Sequence, residues 1–288
     1  MWAIGIHGGA GAAATASEQA EERALDAALA WAERELARGA SALDVAQGAI
    51  RLLEDSGAFV AGKGSSPNSA GDWELDASLC DGATRRCGAI AALRGAYPPI
   101  AIARAVMERT RHVLIAGEGA LAFARECGFT LIDAPAAFFA PVRRASAAGT
   151  VGAVVLDAAG RIAAGTSTGG TFGKRPGRVG DSPIVGAGSW ADAEVGVSCT
   201  GEGEYFIRVA AAHAVALRRR EMSLTLDDAL GRTLAEIAEL GGKGGIIAVD
   251  RSGTLARAFN SQAMRLATAH SDGTRRVVVA RSVPQNRS

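Results

Sequence analysis

Residue 150 is a threonine, set after a glycine in Gly149-Thr150-Val151-Gly152. A threonine hydroxyl is a poor nucleophile unless a base stands beside it. One solution makes the residue the first of a chain, so that its own α-amine takes the proton. That amine, with a pKa of about 7.7–8.0, keeps a useful neutral fraction near pH 7. Thr150 is internal, so this chemistry requires scission of the Gly149–Thr150 bond. Gly149 lacks a Cβ and tolerates the strained geometry that attack on its own carbonyl would need. Taken alone, Gly-Thr-Val is an ordinary strand start; the groups downstream change that.

Arg178 and Asp181 stand three apart in Pro176-Gly177-Arg178-Val179-Gly180-Asp181-Ser182-Pro183, a loop composition. The planar fork of an arginine matches a carboxylate, and an aspartate accepts from an ammonium. The pair suits the two ends of a free amino acid, with a surface salt bridge as the alternative. Cys199-Thr200-Gly201-Glu202-Gly203-Glu204 reads as a strand running into a helix, where unpaired N–H groups face developing negative charge. There the Thr200 hydroxyl and the Gly201 N–H could form an oxyanion hole. A plain strand-to-helix turn is the alternative.

The element that must position the nucleophile is a hairpin. Two apolar runs, Val151–Leu156 and 162–165, flank the turn signal Asp157-Ala158-Ala159-Gly160. Pairing about that turn sets Leu156 opposite Arg161 and Thr150 opposite Ser167, with Thr168 on the diagonal. The cluster Thr166-Ser167-Thr168 thus returns to the side of Thr150. Before the hairpin, the pattern predicts a strand over 2–6, helices over 17–38 and 40–53, a loop over 57–71, a strand pair at 73–79 and 87–93, and helices over 98–109 and 117–127. Residues 128–149, ending in the basic, alanine-rich Arg143-Arg144-Ala145-Ser146-Ala147-Ala148, read as an exposed linker. After the hairpin come strands at 195–199, 245–250, 255–260 and 275–280, and helices over 205–219 and 224–240. Strands joined by tight turns and grouped apart from helices predict antiparallel sheets covered by helices.

The run 150–203, with Thr-Ser-Thr-Gly-Gly, Pro-Gly-Arg-Val-Gly-Asp-Ser-Pro, Gly-Ala-Gly and Ser-Cys-Thr-Gly-Glu-Gly-Glu, closely resembles the plant-type L-asparaginase/isoaspartyl peptidase family of N-terminal-nucleophile hydrolases. The resemblance extends from Ile-His-Gly-Gly-Ala-Gly at 6–11 through Leu-Leu-Glu and Phe-Val-Ala-Gly-Lys-Gly to Gly-Gly-Lys-Gly-Gly at 241–245. It implies an α+β fold, a four-layer αββα sandwich of two mainly antiparallel sheets between helix layers. It implies one domain, 1–288, self-cleaved into 1–149 and 150–288. Thr150 would be the nucleophile, Thr168 its orienting partner, and Thr200 and Gly201 the oxyanion hole. Arg178 and Asp181 would hold the amino-acid end of the substrate, with a backbone contact from Gly203. The family's sodium loop matches Leu53, Glu54, Ser56, Phe59, Ala61 and Lys63, whose main-chain carbonyls would ligate the ion; no organic cofactor is implied. Two features depart from the family: a shorter linker, and Val60 where asparagine is common. The implied reaction cleaves the side-chain amide of L-asparagine or the isopeptide bond of β-aspartyl dipeptides, releasing L-aspartate. The motif detail fits this branch better than the glycosylasparaginase branch, which shares much of Gly-Arg-Val-Gly-Asp-Ser-Pro. The family's assembly, a homodimer of αβ heterodimers, is implied too.

Composition places few further limits. With 288 residues, 48% hydrophobic, 21% charged and a formal charge of +1, the chain reads as a soluble globular protein with no electrostatic reason to bind nucleic acid or an anionic membrane. No apolar run reaches the roughly 18 residues of a membrane span, and the start is not that of a signal peptide. A cytoplasmic location is expected. Cys80, Cys87, Cys127 and Cys199 lack zinc spacing, and His7, His112, His213 and His270 offer no metal pair. His7 reads as structural. Two rival classes remain. Gly165-Thr166-Ser167-Thr168-Gly169 matches the Gly-x-Ser-x-Gly of serine esterases, but the glycines and proline of 170–177 deny it the prompt helix that a nucleophile elbow needs. A non-catalytic amino-acid-binding protein would keep Arg178 and Asp181 without needing Thr168.

Overall fold

The hairpin that begins at Thr150 lies at the centre of the larger of two facing sheets. The computed structural model describes residues 1–12, 18–140 and 149–282. Along the chain come β1 (Ala3–Gly11), α1 (Glu18–Ala37), α2 (Ala42–Ser56), β2 (Leu75–Asp81), β3 (Arg86–Leu93), β4 (Ala96–Tyr97), α3 (Pro99–Arg109), β5 (Leu114–Ala116), α4 (Gly117–Glu126), β6 (Thr130–Leu131) and α5 (Pro135–Phe138). Then follow β7 (Val151–Leu156), β8 (Ile162–Thr168), β9 (Ser189–Ala191), β10 (Val195–Gly201), α6 (Gly203–Arg208), α7 (Ala211–Glu221), α8 (Leu226–Glu239), β11 (Gly244–Asp250), β12 (Leu255–Phe259), β13 (Ala263–His270) and β14 (Arg275–Arg281). The large sheet has the order β14-β13-β1-β7-β8-β2-β3-β5 and the smaller one β12-β11-β10-β9. Every pairing is antiparallel except β3 with β5, as the sequence leads one to expect.

Three apolar layers separate four layers of structure. Leu25 and Leu29 of α1 and Ile50 and Leu53 of α2 pack on Ile6 and Val155 beneath them. Val154, Ile162, Ile247 and Val249 fill the space between the sheets. Val197, Val215, Leu230 and Ile246 join the small sheet to α7 and α8. Strand β7 supplies both of its neighbours, Val155 toward the helices and Val154 toward the other sheet, which is why it is apolar throughout. The arrangement is the expected αββα sandwich. Helix α2 starts where Ser41 accepts from the Asp44 N–H at 3.1 Å and stops at Gly57, whose φ of 66° ends the helix without a Cβ penalty.

Three sequence expectations need correction. The hairpin register is shifted by one residue: Leu156 faces Ile162 and Val151 faces Ser167. The cause is a three-residue loop, because the Asp157 N–H donates to the Arg161 carbonyl at 2.9 Å and Gly160, with φ 77°, absorbs the extra residue. The helix predicted over 205–219 is broken into α6 and α7. Ala210 takes a left-handed φ of 48°, and the carbonyls of Ala187 and Gly186 accept from the Ala212 and His213 N–H groups at the new helix start. Strand β13 was not foreseen. Arg265 interrupts its apolar run, and that charge is buried against Glu21 at 2.9 Å, with a second hydrogen bond to the Ala12 carbonyl. Of the expected linker, 128–140 contains β6 and α5, while the basic run within 141–148 lies outside the described residues.

Candidate active site

The corrected register moves Thr150 from Ser167 to Thr168. Thr150 directly precedes β7 and Thr168 ends β8, and the Thr150 hydroxyl donates to Thr168 Oγ1 at 3.1 Å. Thr168 also accepts from the Gly170 N–H at 3.0 Å and turns its own proton to the Val60 carbonyl at 3.4 Å. That carbonyl accepts from the Gly169 N–H at 2.8 Å as well. Val60 closes the other side too: a Cβ on Gly149 would lie 2.6 Å from Val60 Cγ2 and 2.7 Å from its nitrogen. One loop, 57–64, therefore touches the residue before Thr150 and the residue that receives its hydrogen bond. Ser167, one step along β8, points to the opposite face and donates to Glu54 Oε1 at 2.6 Å. No helix follows at 170–177, so the esterase elbow is absent.

Thr150, Thr168, Arg178, Asp181 and Gly201 line one cleft. Asp181 is buried with Oδ2 unpaired, and burial pushes its pKa up to about 7 against the pull of Arg178. The alternative of a surface salt bridge between Arg178 and Asp181 is not formed; Arg178 instead gives Nε and Nη2 to Glu204, both at 2.8 Å. Gly203 abuts Asp181, since a Cβ there would lie 2.8 Å from Asp181 N and Oδ1. Thr200, at the end of β10, is fully buried with its hydroxyl unpaired. Gly201 follows at φ 149°, where a Cβ would lie 2.5 Å from the Lys243 carbonyl.

Several polar groups around the cleft were not singled out from sequence. Asp76 lies opposite Thr168 in the β2–β8 ladder, buried, with no hydrogen bond to Oδ2 and its pKa raised by burial to about 6. Lys174 Nζ sits 4.0 Å from it and donates to the Glu74 carbonyl at 3.0 Å. Burial lowers the Lys174 pKa while Asp76 opposes the shift. An aspartate within a central strand was the available signal. His7 bonds Ser198 Oγ at 2.9 Å, and Ser198 bonds Thr166 Oγ1 at 2.8 Å, joining the two sheets. Gly152 makes room for that contact, because a Cβ would run into both His7 Nε2 and Ser198 Oγ. Burial lowers the His7 pKa to about 3, so the ring is neutral and structural.

The loop that carries Val60 is rich in inward-facing oxygens. A Cβ on Gly62 would lie 2.5 Å from the Glu54 carbonyl oxygen, and one on Gly64 would run into those of Phe59 and Gly57. The Leu53 carbonyl accepts from Ser56 Oγ at 2.7 Å, that of Ala61 from the Gly64 N–H at 3.2 Å, and that of Lys63 from the Ala140 N–H at 2.8 Å. Each carbonyl keeps a second lone pair. Helix α2 ends here with no basic side chain in its own last turn, and the cation Lys63 stands at this end, 3.5 Å from Asp55 Oδ1. Glu54 itself is buried, and burial raises its pKa to about 8. No group of three or more His, Cys, Asp or Glu side chains among the described residues could hold a metal. No helix among them is long and apolar enough to cross a membrane.

Known proteins resemble most of the chain. The asparaginase family model matches residues 1–140 and 139–279. An isoaspartyl peptidase of Salmonella typhimurium is 43% identical over 300 residues, covering 94% of this chain and 96% of its own. One from Escherichia coli is 42% identical over 303 residues, with 94% of each chain covered. A plant-type L-asparaginase of Pyrobaculum calidifontis is 39% identical over 290 residues, covering 92% of this chain and 95% of its own.

Proposed function

The chain belongs to the asparaginase family, and on that premise we propose a self-processing threonine amidohydrolase that acts on L-asparagine, β-aspartyl dipeptides or both and releases L-aspartate. The observation that carries this reading is the 3.1 Å hydrogen bond from Thr150 to Thr168 at the floor of the cleft that Arg178, Asp181 and Gly201 also line. In processing, Thr150 Oγ1 attacks the Gly149 carbonyl carbon, the C–N bond breaks, and the threonine nitrogen takes the hydroxyl proton. Water hydrolyses the resulting ester. This frees the Gly149 carboxylate and the Thr150 amine and yields segments 1–149 and 150–288.

In turnover, the Thr150 amine accepts the proton of its own hydroxyl as Oγ1 attacks the side-chain amide carbon. The unpaired Thr200 hydroxyl, with Gly201 beside it, is suited to stabilise the oxyanion; a single donor of this kind is worth about 10²–10³ in rate. Ammonia or an amino acid leaves with the proton, and water releases aspartate. Arg178 meets the α-carboxylate, Asp181 meets the α-ammonium, and Gly203 sets the backbone beside Asp181. Thr168 orients the nucleophile.

The oxygen-rich turn at the end of α2 suits a sodium ion held by the main-chain carbonyls of Leu53, Glu54, Ser56, Phe59, Ala61 and Lys63, which would stiffen the loop against Gly149 and Thr168. A cytoplasmic homodimer of αβ heterodimers completes the reading.

Intact mass of the purified protein, followed over several days beside Thr150→Ala, tests it. Two fragments meeting at Gly149 and Thr150 are expected, with none in the variant. A single stable chain that still hydrolysed an amide would sink the N-terminal-threonine mechanism.

A further inference from the structure

An arginine fork has two bidentate edges, and in Arg178 one of them is already taken. Nε and Nη2 both donate at 2.8 Å to the two oxygens of Glu204, in the first turn of α6. The Nη1 end of the guanidinium lies beside the backbone of Gly180, where a Cβ would lie 3.0 Å from Nη1 and 3.4 Å from Cζ and Nη2. Nη1 forms no side-chain hydrogen bond among the described residues. Arg178 is thus held along its Nε–Nη2 edge, and its Nη1–Nη2 edge keeps free donors at a cleft that Arg178 and Gly180 both line.

We propose that Glu204 is a positioning residue, which fixes Arg178 so that its open edge receives the α-carboxylate of the amino-acid substrate. This rests on the amidohydrolase reading above and extends it. Without Glu204, a long side chain on a glycine-rich loop would have no partner to choose its rotamer. Its neighbour strengthens the argument, because Gly203 sets its backbone against Asp181 N and Oδ1. Two consecutive residues at the start of α6 therefore register both halves of the clamp, the ammonium acceptor through Gly203 and the carboxylate donor through Glu204. The Glu204 side chain is 59% exposed, so its carboxylate remains hydrated and its removal leaves no buried void. The opposite role is also conceivable chemically: a glutamate that occupied the fork in competition with substrate. The two roles predict opposite changes in apparent affinity.

Steady-state kinetics of the processed protein with L-asparagine separates them. Glu204→Ala should raise KM about ten-fold and change kcat less than about two-fold, the split expected when ground-state orientation is lost and the chemistry is not. Glu204→Gln, which keeps one acceptor, should recover part of the loss; it also carries the test if the alanine variant fails to process. In an Arg178→Ala background, Glu204→Ala should add nothing, since the effect passes through the missing guanidinium. A KM that falls in Glu204→Ala would identify a competitor and overturn the proposal. An equal rise in the Arg178→Ala background would overturn it too. Calorimetric titration of L-aspartate into the same variants reads the clamp without turnover. A wild-type protein that bound aspartate but hydrolysed nothing would refute the hydrolase reading, while the binding loss in Glu204→Ala would still support the positioning role. Equal aspartate affinity in wild type and Glu204→Ala would refute the positioning role even if turnover were normal.

Discussion

Asp181 is a carboxylate whose burial works against the charge that its proposed role requires. Its pKa, raised to about 7 from an ordinary 3.8, means that the empty cleft begins to lose its ammonium acceptor as the pH falls through neutrality. The Thr150 amine, with a pKa of about 7.7–8.0, must be neutral as well. The acid limb of kcat/KM should therefore carry two protonations and steepen toward a slope of two below about pH 6.5. The limb of kcat should carry one, because bound ammonium keeps Asp181 ionised. Parallel pH profiles of the two parameters check this, and a unit slope in kcat/KM would show Asp181 ionised throughout. The same shift has a sign for stability. The folded state holds the proton more tightly than the unfolded state, so the stabilisation is complete below about pH 4 and is lost as pH rises through 7. The advantage of Asp181→Asn in thermal unfolding should accordingly grow between pH 4 and 7 and then level off.

At the scale of elements, the loop 57–64 and the hairpin together hold the Gly149–Thr150 bond, the proposed point of cleavage. Val60 leaves no room for a side chain at residue 149. Gly149→Ala should slow processing about ten-fold or more, the cost of overpacking at a closed contact, while the fold persists. Intact mass against time, with circular dichroism as the control for folding, measures it; cleavage at the wild-type rate would show that this contact gives way freely. Much of this element was legible beforehand. Apolar runs and a turn signal announced the hairpin, and glycines marked both of its ends. The register was not legible, because a four-residue turn and a three-residue loop with a left-handed Gly160 look alike in sequence. Arg265 concealed β13, since its partner Glu21 lies far away in α1. The proposed roles of Arg178 and Asp181 rest on their residue types, which the sequence displays. The partner of Arg178 is not legible in the same way: Glu204 lies 26 residues on, and only the fold brings the first turn of α6 to it. Asp76 and Lys174 escaped notice for the same reason, a contact between distant segments.

For the whole molecule, cutting the chain would not divide the fold. In the large sheet, β1 from the first segment lies between β13 and β7 from the second, and β2 from the first pairs with β8 from the second. The two segments should elute together on a native column and part only in denaturant, with one cooperative transition. Separation under native conditions would contradict the interleaving. One further link binds the molecule into a frame. The Asp157 carboxylate, at the far end of β7 from Thr150, accepts from the Ala42 N–H at 2.9 Å and so ties the hairpin to the start of α2. From there α2 runs back for 15 residues, about 22 Å at ~1.5 Å each, to the loop at Gly149. The seven steps from Thr150 to Asp157 cover about 23 Å at ~3.3 Å each. Helix and strand are struts of equal length in a closed truss, pinned at both ends. Deleting one residue from α2 would draw the loop back by about 1.5 Å and turn it by about 100°. The outward face of this helix can drift in sequence, but its length is set by the two ends it joins, the hairpin at Asp157 and the loop at Gly149.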